Sequence, residues 1–325
     1  MKAIVCKQFG PPSDLSLENI KTPKPKEGEV VVEVKACGVN FPDTLIIQGL
    51  YQFKPELPFT PGSDIAGIVK EVGAGVTHLQ VGDEVFGFVM HGGYAEEVIV
   101  PGNACFKKPP MMDFPVAASF MMAYGTSYHA LKDRANLKEE ETLLVLGASG
   151  GVGLAAVELG KLMGARVIAA ASSDEKLQLC KEYGADEVIN YTQEDLKLRI
   201  KEITKGKGVD VVYDPVGGSY SEPAIRGMAW EGRYLVVGFA AGDIPKIPLN
   251  LALLKGCAIV GVFWGSFAMK TPKKNMQNTL ELMQWYGEGK LKPHIHKIYP
   301  LEKAAEALEE MIERKVRGKV VIQCS

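Results

Sequence analysis

Four glycines, Gly147, Gly150, Gly151 and Gly153, fall close together in the run TLLVLGASGGVGLAAVELGKLMG from Thr142 to Gly164. Glycine has no Cβ, so a backbone built this way can bend sharply and approach a bulky anion. Where a helix starts at the same point, its first N–H groups have no partner in the chain and face that anion. With Ser149 and Val152 between them, these glycines are candidates for a cradle around the diphosphate of a dinucleotide. The chemistry needs a strand before the turn and a helix after it.

The sequence pattern supplies both. Leu143–Leu146 is a short apolar run of strand type, and from Val152 apolar residues recur at helical spacing through Leu154, Ala155, Leu159 and Leu162. A second strand, Arg166 to Ser172, follows Gly164 and completes a strand–helix–strand unit of about 30 residues. Without that unit the turn would be only a connector. A site selective for NAD usually ends this second strand with Asp or Glu, which accepts a hydrogen bond from the ribose 2′-OH. Here the end is Ala171-Ser172-Ser173, whose small hydroxyls leave room for a 2′-phosphate. Lys176, one turn further on, can pair with its charge, and Tyr191 can close the pocket. The expected cofactor is therefore NADP, as NADPH. The competing reading has Ser173 or Asp174 capping the next helix and Lys176 on its solvated face.

The elements around this unit predict two domains. Up to about residue 120 the chain reads as short strands at Val30–Lys35, Asp64–Val72, Glu84–Val89 and Ala95–Val100, punctuated by Pro and Gly, and MKAIVCKQFG reads as a first strand without a secretory leader. Pro115–Lys132 turns helical. Strands then alternate with helices: Leu143–Leu146, Arg166–Ala171, Glu187–Asn190, Val209–Tyr213, Arg233–Gly238 and a sixth strand Ala258–Trp264. Helices are expected at Asp174–Tyr183, Glu194–Thr204 and Ser221–Met228. Such alternation predicts an α/β, doubly wound parallel sheet. The tail reads as helices Thr271–Gly287 and Glu302–Arg314 and a last strand Lys319–Gln323 returning to the first domain. The expected division is 1–123, completed by 267–325, and 124–266.

Composition sets the outer limits. The chain has 325 residues, 37 Lys and Arg against 39 Asp and Glu, and a net charge of −2. That balance provides no electrostatic footprint for nucleic acid, and no apolar run approaches the ~18 residues of a membrane span. The six cysteines are scattered, without the close pairs of a metal knuckle or redox couple. Reduced thiols in a cytoplasmic protein are the expectation, with no metal site.

The motifs KACGVNFPD, GLYQFKPELPFTPGSDIAGIV, VGDEVFG, AYGTSYHAL, LGASGGVGLAA, GADEVINY, VDVVYDPVGG, WEGRYLVVGFA and RGKVVI together span essentially the whole chain. In them it resembles the zinc-independent medium-chain dehydrogenase/reductases of the NADPH:quinone oxidoreductase, zeta-crystallin-like, group. The resemblance implies a nucleotide-binding Rossmann domain beside a β-rich, GroES-like barrel. It also shows departures from the zinc alcohol dehydrogenases of the superfamily. Asn40 and Ser63 stand where those enzymes carry a Cys and a His zinc ligand, Ala118 stands near the remaining Cys, and the structural-zinc lobe has no counterpart. Zinc needs three or four such ligands at ~2.0–2.3 Å.

Chemistry without a Lewis acid implies a substrate that accepts hydride readily, a quinone or an α,β-unsaturated carbonyl compound. The protein then aligns the reactants and stabilises a developing oxyanion. The resemblance places Asn40 and Tyr51 beside the nicotinamide as candidate donors. Leu45 stands where some relatives carry a second tyrosine. The plainer roles are a turn residue for Asn40 and an aromatic wall for Tyr51. Tyr124 and Thr126 are implied near the nicotinamide ribose, Gly238, Phe239 and Ala240 near its carboxamide, and Phe263, Trp264 and Phe267 along the cleft. A homodimer through the exposed edge of the sixth strand is expected by the same analogy. The competing function is a non-enzymatic NADPH-binding protein, structural or redox-sensing.

Overall fold

Apolar strands alternating with amphipathic helices have one stable arrangement, a parallel sheet with helices on its faces. In the computed structural model, which describes residues 1–325, six strands pair in the spatial order Glu187–Asn190, Arg166–Ala171, Thr142–Leu146, Val209–Asp214, Met228–Val236, Ala258–Gly261. All are parallel. In chain order this is 3-2-1-4-5-6, so the order reverses beside the first strand, at the end of which the glycine turn lies. Alternate residues Leu144, Leu146, Ile168 and Val212 pack on one face against Leu196, Ile200 and Ile225. On the other face Leu143 and Val167 lie against Gly160 of the helix Gly151–Leu162.

The chain divides into two compact units, Met1–Met122 with Pro293–Ser325, and Ala123–Lys292. The expected assignment of 267–325 to the first unit is corrected for its first part. The helix Pro272–Gly287 is tied into the second unit by Lys132 Nζ donating to Asn278 Oδ1 at 3.1 Å, Asn278 Nδ2 to Asp133 Oδ2 at 2.8 Å and Tyr128 OH to Glu281 Oε2 at 2.7 Å. Two strand boundaries also move. The fifth strand starts at Met228 rather than Arg233, because the register shifts after Val209 pairs with Met228. The sixth stops at Gly261, and Trp264–Lys270 is a helix.

The first unit is built on the long strand Glu29–Val39. It pairs antiparallel with Asp64–Val72 along its length, with Glu97–Pro101 near its start and with Lys319–Gln323 near its end. Changing neighbours midway wraps the sheet around a core that includes Val30, Val32, Val34, Ile65, Val85 and Val320. Strands Ser16–Asn19, Cys105–Lys107 and Ile295–Pro300 were absent from the sequence reading. Each is short or lacks apolar alternation, so only tertiary pairing reveals it. No helix is long and apolar enough to cross a membrane.

Candidate active site

The glycine turn has separable parts. Gly147 sits at φ +57°, a left-handed conformation that favours glycine. A Cβ on Gly153 would lie 2.2 Å from Gly147 O, so this glycine lets the helix pack on its own turn. Gly150 differs: its φ of −77° suits any residue, and an added Cβ would meet nothing closer than Gly147 O at 3.4 Å. Neither conformation nor packing within the chain requires glycine there. It precedes Gly151, the first residue of the helix, so its missing Cβ leaves the approach to the helix N-terminus open. That is the fit expected of a diphosphate cradle, with Ser149 buried in the turn and Val152 in the helix's first turn.

The second strand, Arg166–Ala171, runs through Ser172 into a capped helix. Ser173 caps the helix Asp174–Glu182, accepting from Lys176 N at 3.4 Å. The Lys176 side chain nevertheless turns back, its Nζ donating to Ser172 Oγ at 3.2 Å. Tyr191 packs its ring against Tyr220 at 4.3 Å, and Thr192 Oγ1 donates to Ser172 O at 3.2 Å. Ser172, Lys176 and Tyr191 thus gather at one strand end with a cation among them. Asp174 accepts from Asn190 Nδ2 at 2.7 Å.

The other candidate residues of this unit fall into two groups. Gly238, Phe239 and Ala240 lie at the carboxyl ends of the fourth and fifth strands, where Ala240 N donates to Pro215 O at 3.0 Å and Gly238 N to Asp214 O at 3.3 Å. A Cβ on Gly147 would come 2.7 Å from Val216 Cγ2, so this loop and the glycine turn are continuous. The turn is organised by Asp214, which sequence reasoning did not single out. Its buried carboxylate accepts from Val216 N at 2.7 Å, Gly217 N at 2.8 Å and Ser221 Oγ at 2.9 Å, and from Tyr234 OH. Ser127 Oγ donates to Val152 O at 2.8 Å, which sets its neighbour Thr126, half-buried, beside the first helical turn.

Three aromatics have interior partners. Tyr124 is buried, and its hydroxyl donates to Glu158 Oε2 at 2.7 Å; burial raises the Glu158 carboxyl and drives the phenol well above its ordinary range. Trp264 is only 4% exposed and its Nε1 donates to Asn275 Oδ1 at 3.0 Å, while Phe267 stacks on His129 at 3.8 Å. Phe263 is half exposed.

In the first unit Asn40 sits where the long strand Glu29–Val39 gives way to the helix Phe41–Ile46. It is the N-cap of that helix, with partners both nearby and far along the chain. Its backbone N–H donates to Asp43 Oδ2 at 2.8 Å, its Oδ1 accepts from Lys319 Nζ, and its Nδ2 faces Gly38 O and Asp64 Oδ2, both at 3.4 Å. Lys319 Nζ also donates to Val39 O at 3.1 Å and lies 3.9 Å from Asp64 Oδ2. Tyr94 OH donates to Asp43 Oδ2 at 3.0 Å. Asn40, Asp43, Asp64, Tyr94 and Lys319 are all buried. Burial pushes the carboxyls of Asp43 and Asp64 up to about 6 and pulls the Lys319 ammonium down. Lys319, Asp43 and Asp64 lay inside recognised motifs, yet no local signal marked them as one cluster.

Tyr51 packs on the same core, and burial, with Asp43 behind it, raises its phenol. The positions of the zinc ligands meet here too: Gly38 pairs with Asp64, a Cβ on Gly38 would lie 2.1 Å from Ala118 O, and Ser63 Oγ is buried without a hydrogen bond. No three His, Cys, Asp or Glu side chains stand together in metal-binding geometry.

Residues 26–110 match the alcohol dehydrogenase GroES-like domain and residues 151–285 the zinc-binding dehydrogenase family. The chain belongs to the medium-chain dehydrogenase/reductase family. It is 42% identical to quinone oxidoreductase-like protein 2 homolog of Nematostella vectensis, over 99% of this chain and 88% of that protein. The stretches SDEK, WEGR, NLALLKG and WG point to the same subgroup. Quinone oxidoreductase of Homo sapiens is 35% identical, over 99% of this chain and 97% of that one. The structure of Escherichia coli quinone oxidoreductase complexed with NADPH superposes with a TM-score of 0.92 at 32% identity, covering 99% of this chain and 100% of that one.

Proposed function

We propose that this chain is an NADPH-dependent oxidoreductase that reduces quinones or α,β-unsaturated carbonyl compounds without zinc. The carrying observation is the donor set around Asn40. It consists of an amide, an ammonium and carboxyls, and its one thiol, Cys37, is fully buried and held well above its ordinary range. The carboxyls of that set already face donors and no three metal-ligating side chains converge, whereas an oxygen gaining negative charge finds hydrogen-bond donors. NADPH supplies the hydride when bound. The protein's own part is to hold the diphosphate at the glycine turn, the 2′-phosphate at Ser172 and Lys176, and the acceptor's oxygen near Asn40 and Tyr51. Burial first, and Asp43 second, raise the Tyr51 phenol, which suits it to hydrogen-bond the acceptor's oxygen as an O–H rather than to give up its proton.

The exposed edge strand supports a homodimer as the working form. Ala258–Gly261 pairs on one side only, and Ile259, Trp230, Leu253 and Leu254 beside it are solvent-exposed.

The test is steady-state turnover of a panel of quinones, enones and enoyl thioesters with NADPH and with NADH, before and after exhaustive chelation. Turnover with NADPH that survives chelation is expected. Activity lost with one equivalent of removed zinc refutes zinc independence, and no turnover on any acceptor refutes the substrate class.

A further inference from the structure

Lys319 has a use that the nucleotide site does not explain. Strand Lys319–Gln323 pairs with Glu29–Val39 so that Val320 stands opposite Val39, which delivers the Lys319 side chain to Asn40 from the far end of the chain. Lysine is buried there beside two buried carboxyls, although an apolar residue of the same length would pack without the cost of desolvating an ammonium. An ammonium has donors and no acceptor, so it can face only the oxygen of the Asn40 amide. The amide N–H groups must therefore take the opposite branch. Their partners, Gly38 O and Asp64 Oδ2, are both 3.4 Å away, at the long end of hydrogen bonding. Donors held so weakly are oriented yet free to tighten on an oxygen that gains charge.

We propose that Lys319 is a positioning residue that fixes the Asn40 amide so that its N–H donors, and not its carbonyl, are offered to the hydride acceptor. The proposal rests on the reading of Asn40 given above. Without Lys319 the amide is free to flip and present a carbonyl oxygen, which repels an oxyanion.

The experiment is a double-mutant cycle of wild type, Lys319→Met, Asn40→Ala and the double variant, with NADPH and 1,4-benzoquinone. It is accompanied by NADPH fluorescence titration and by side-chain amide exchange of Asn40 in 15N-labelled protein without cofactor. Lys319→Met is expected to lower kcat about tenfold or more and to leave the Kd for NADPH unchanged. The double variant should be no slower than Asn40→Ala, the non-additivity of two residues acting as one. The Asn40 amide protons should exchange at least about tenfold faster once Lys319 is gone, as a released amide opens to solvent. Losses that multiply, an unchanged amide exchange, or Asn40→Ala turning over at the wild-type rate each overturn the proposal. If wild type itself fails to reduce the quinone, the substrate reading falls, and amide exchange still decides whether Lys319 holds Asn40. Should Lys319→Met fail to fold, Lys319→Gln is taken through the same cycle with the same deciding outcomes.

Discussion

The proposed 2′-phosphate site rests on Lys176 Nζ, which donates to Ser172 Oγ at 3.2 Å and on that reading supplies the cation for the phosphate. Lys176→Ala should weaken NADPH by ~1–3 kcal/mol, the scale of a charge-assisted hydrogen bond, and leave NADH nearly unchanged. Fluorescence titration of both cofactors checks this, and equal losses would remove Lys176 from the site. Asp64 titrates in the opposite sense to a salt-bridged surface carboxylate. Burial lifts it from its ordinary 3.8 to about 6, so the folded protein binds the proton more tightly than the unfolded chain does. The stability this group contributes is full below about pH 4 and is lost as the pH rises through about 6. Asp64→Asn does not titrate. Its unfolding free energy relative to wild type should therefore rise by roughly 1–3 kcal/mol between about pH 4 and about pH 7 in urea titrations, and a flat difference would show Asp64 ionised at its ordinary value.

Two glycines of one turn are expected to fail in different ways. Gly150→Val meets no backbone atom closer than 3.4 Å for its Cβ, so the fold should survive within about 1 kcal/mol of N-cap cost while NADPH binding is lost. Gly153→Val drives its Cβ to within 2.2 Å of Gly147 O and should lower the melting temperature outright, by several degrees or more. Thermal unfolding alongside NADPH titration separates them, and normal binding by Gly150→Val would make the turn a connector. This element was legible in the sequence because strand, turn and helix are consecutive and their periodicity is local. Trp264 was not: read as the end of a strand, it opens a helix, since its indole finds its place against Gly125 and Asn275. The Asn40 cluster was legible only as separate motifs. Strand register joins Lys319 to Asn40, and register is a property of the folded sheet.

At the scale of the molecule, the edge strand Ala258–Gly261 carries the expected contact between copies. Ile259→Lys should charge that edge and turn a dimer into a folded monomer in sedimentation, and an unchanged mass would place the contact elsewhere or nowhere. The first unit is discontinuous: the strand Lys319–Gln323 closes it, while all of the second unit lies between its two parts. On a ribosome, which delivers roughly 5–20 residues per second, the N-terminal strands therefore wait on the order of 10–40 s for their last neighbour. The nucleotide-binding unit is fully emerged before then. During that interval the nascent chain exposes the flank of Glu29–Val39 that Lys319–Gln323 later covers, and Asn40 has no ammonium beside it. Translation order thus lets the second unit be completed early in synthesis and the Asn40–Lys319 contact only at its end.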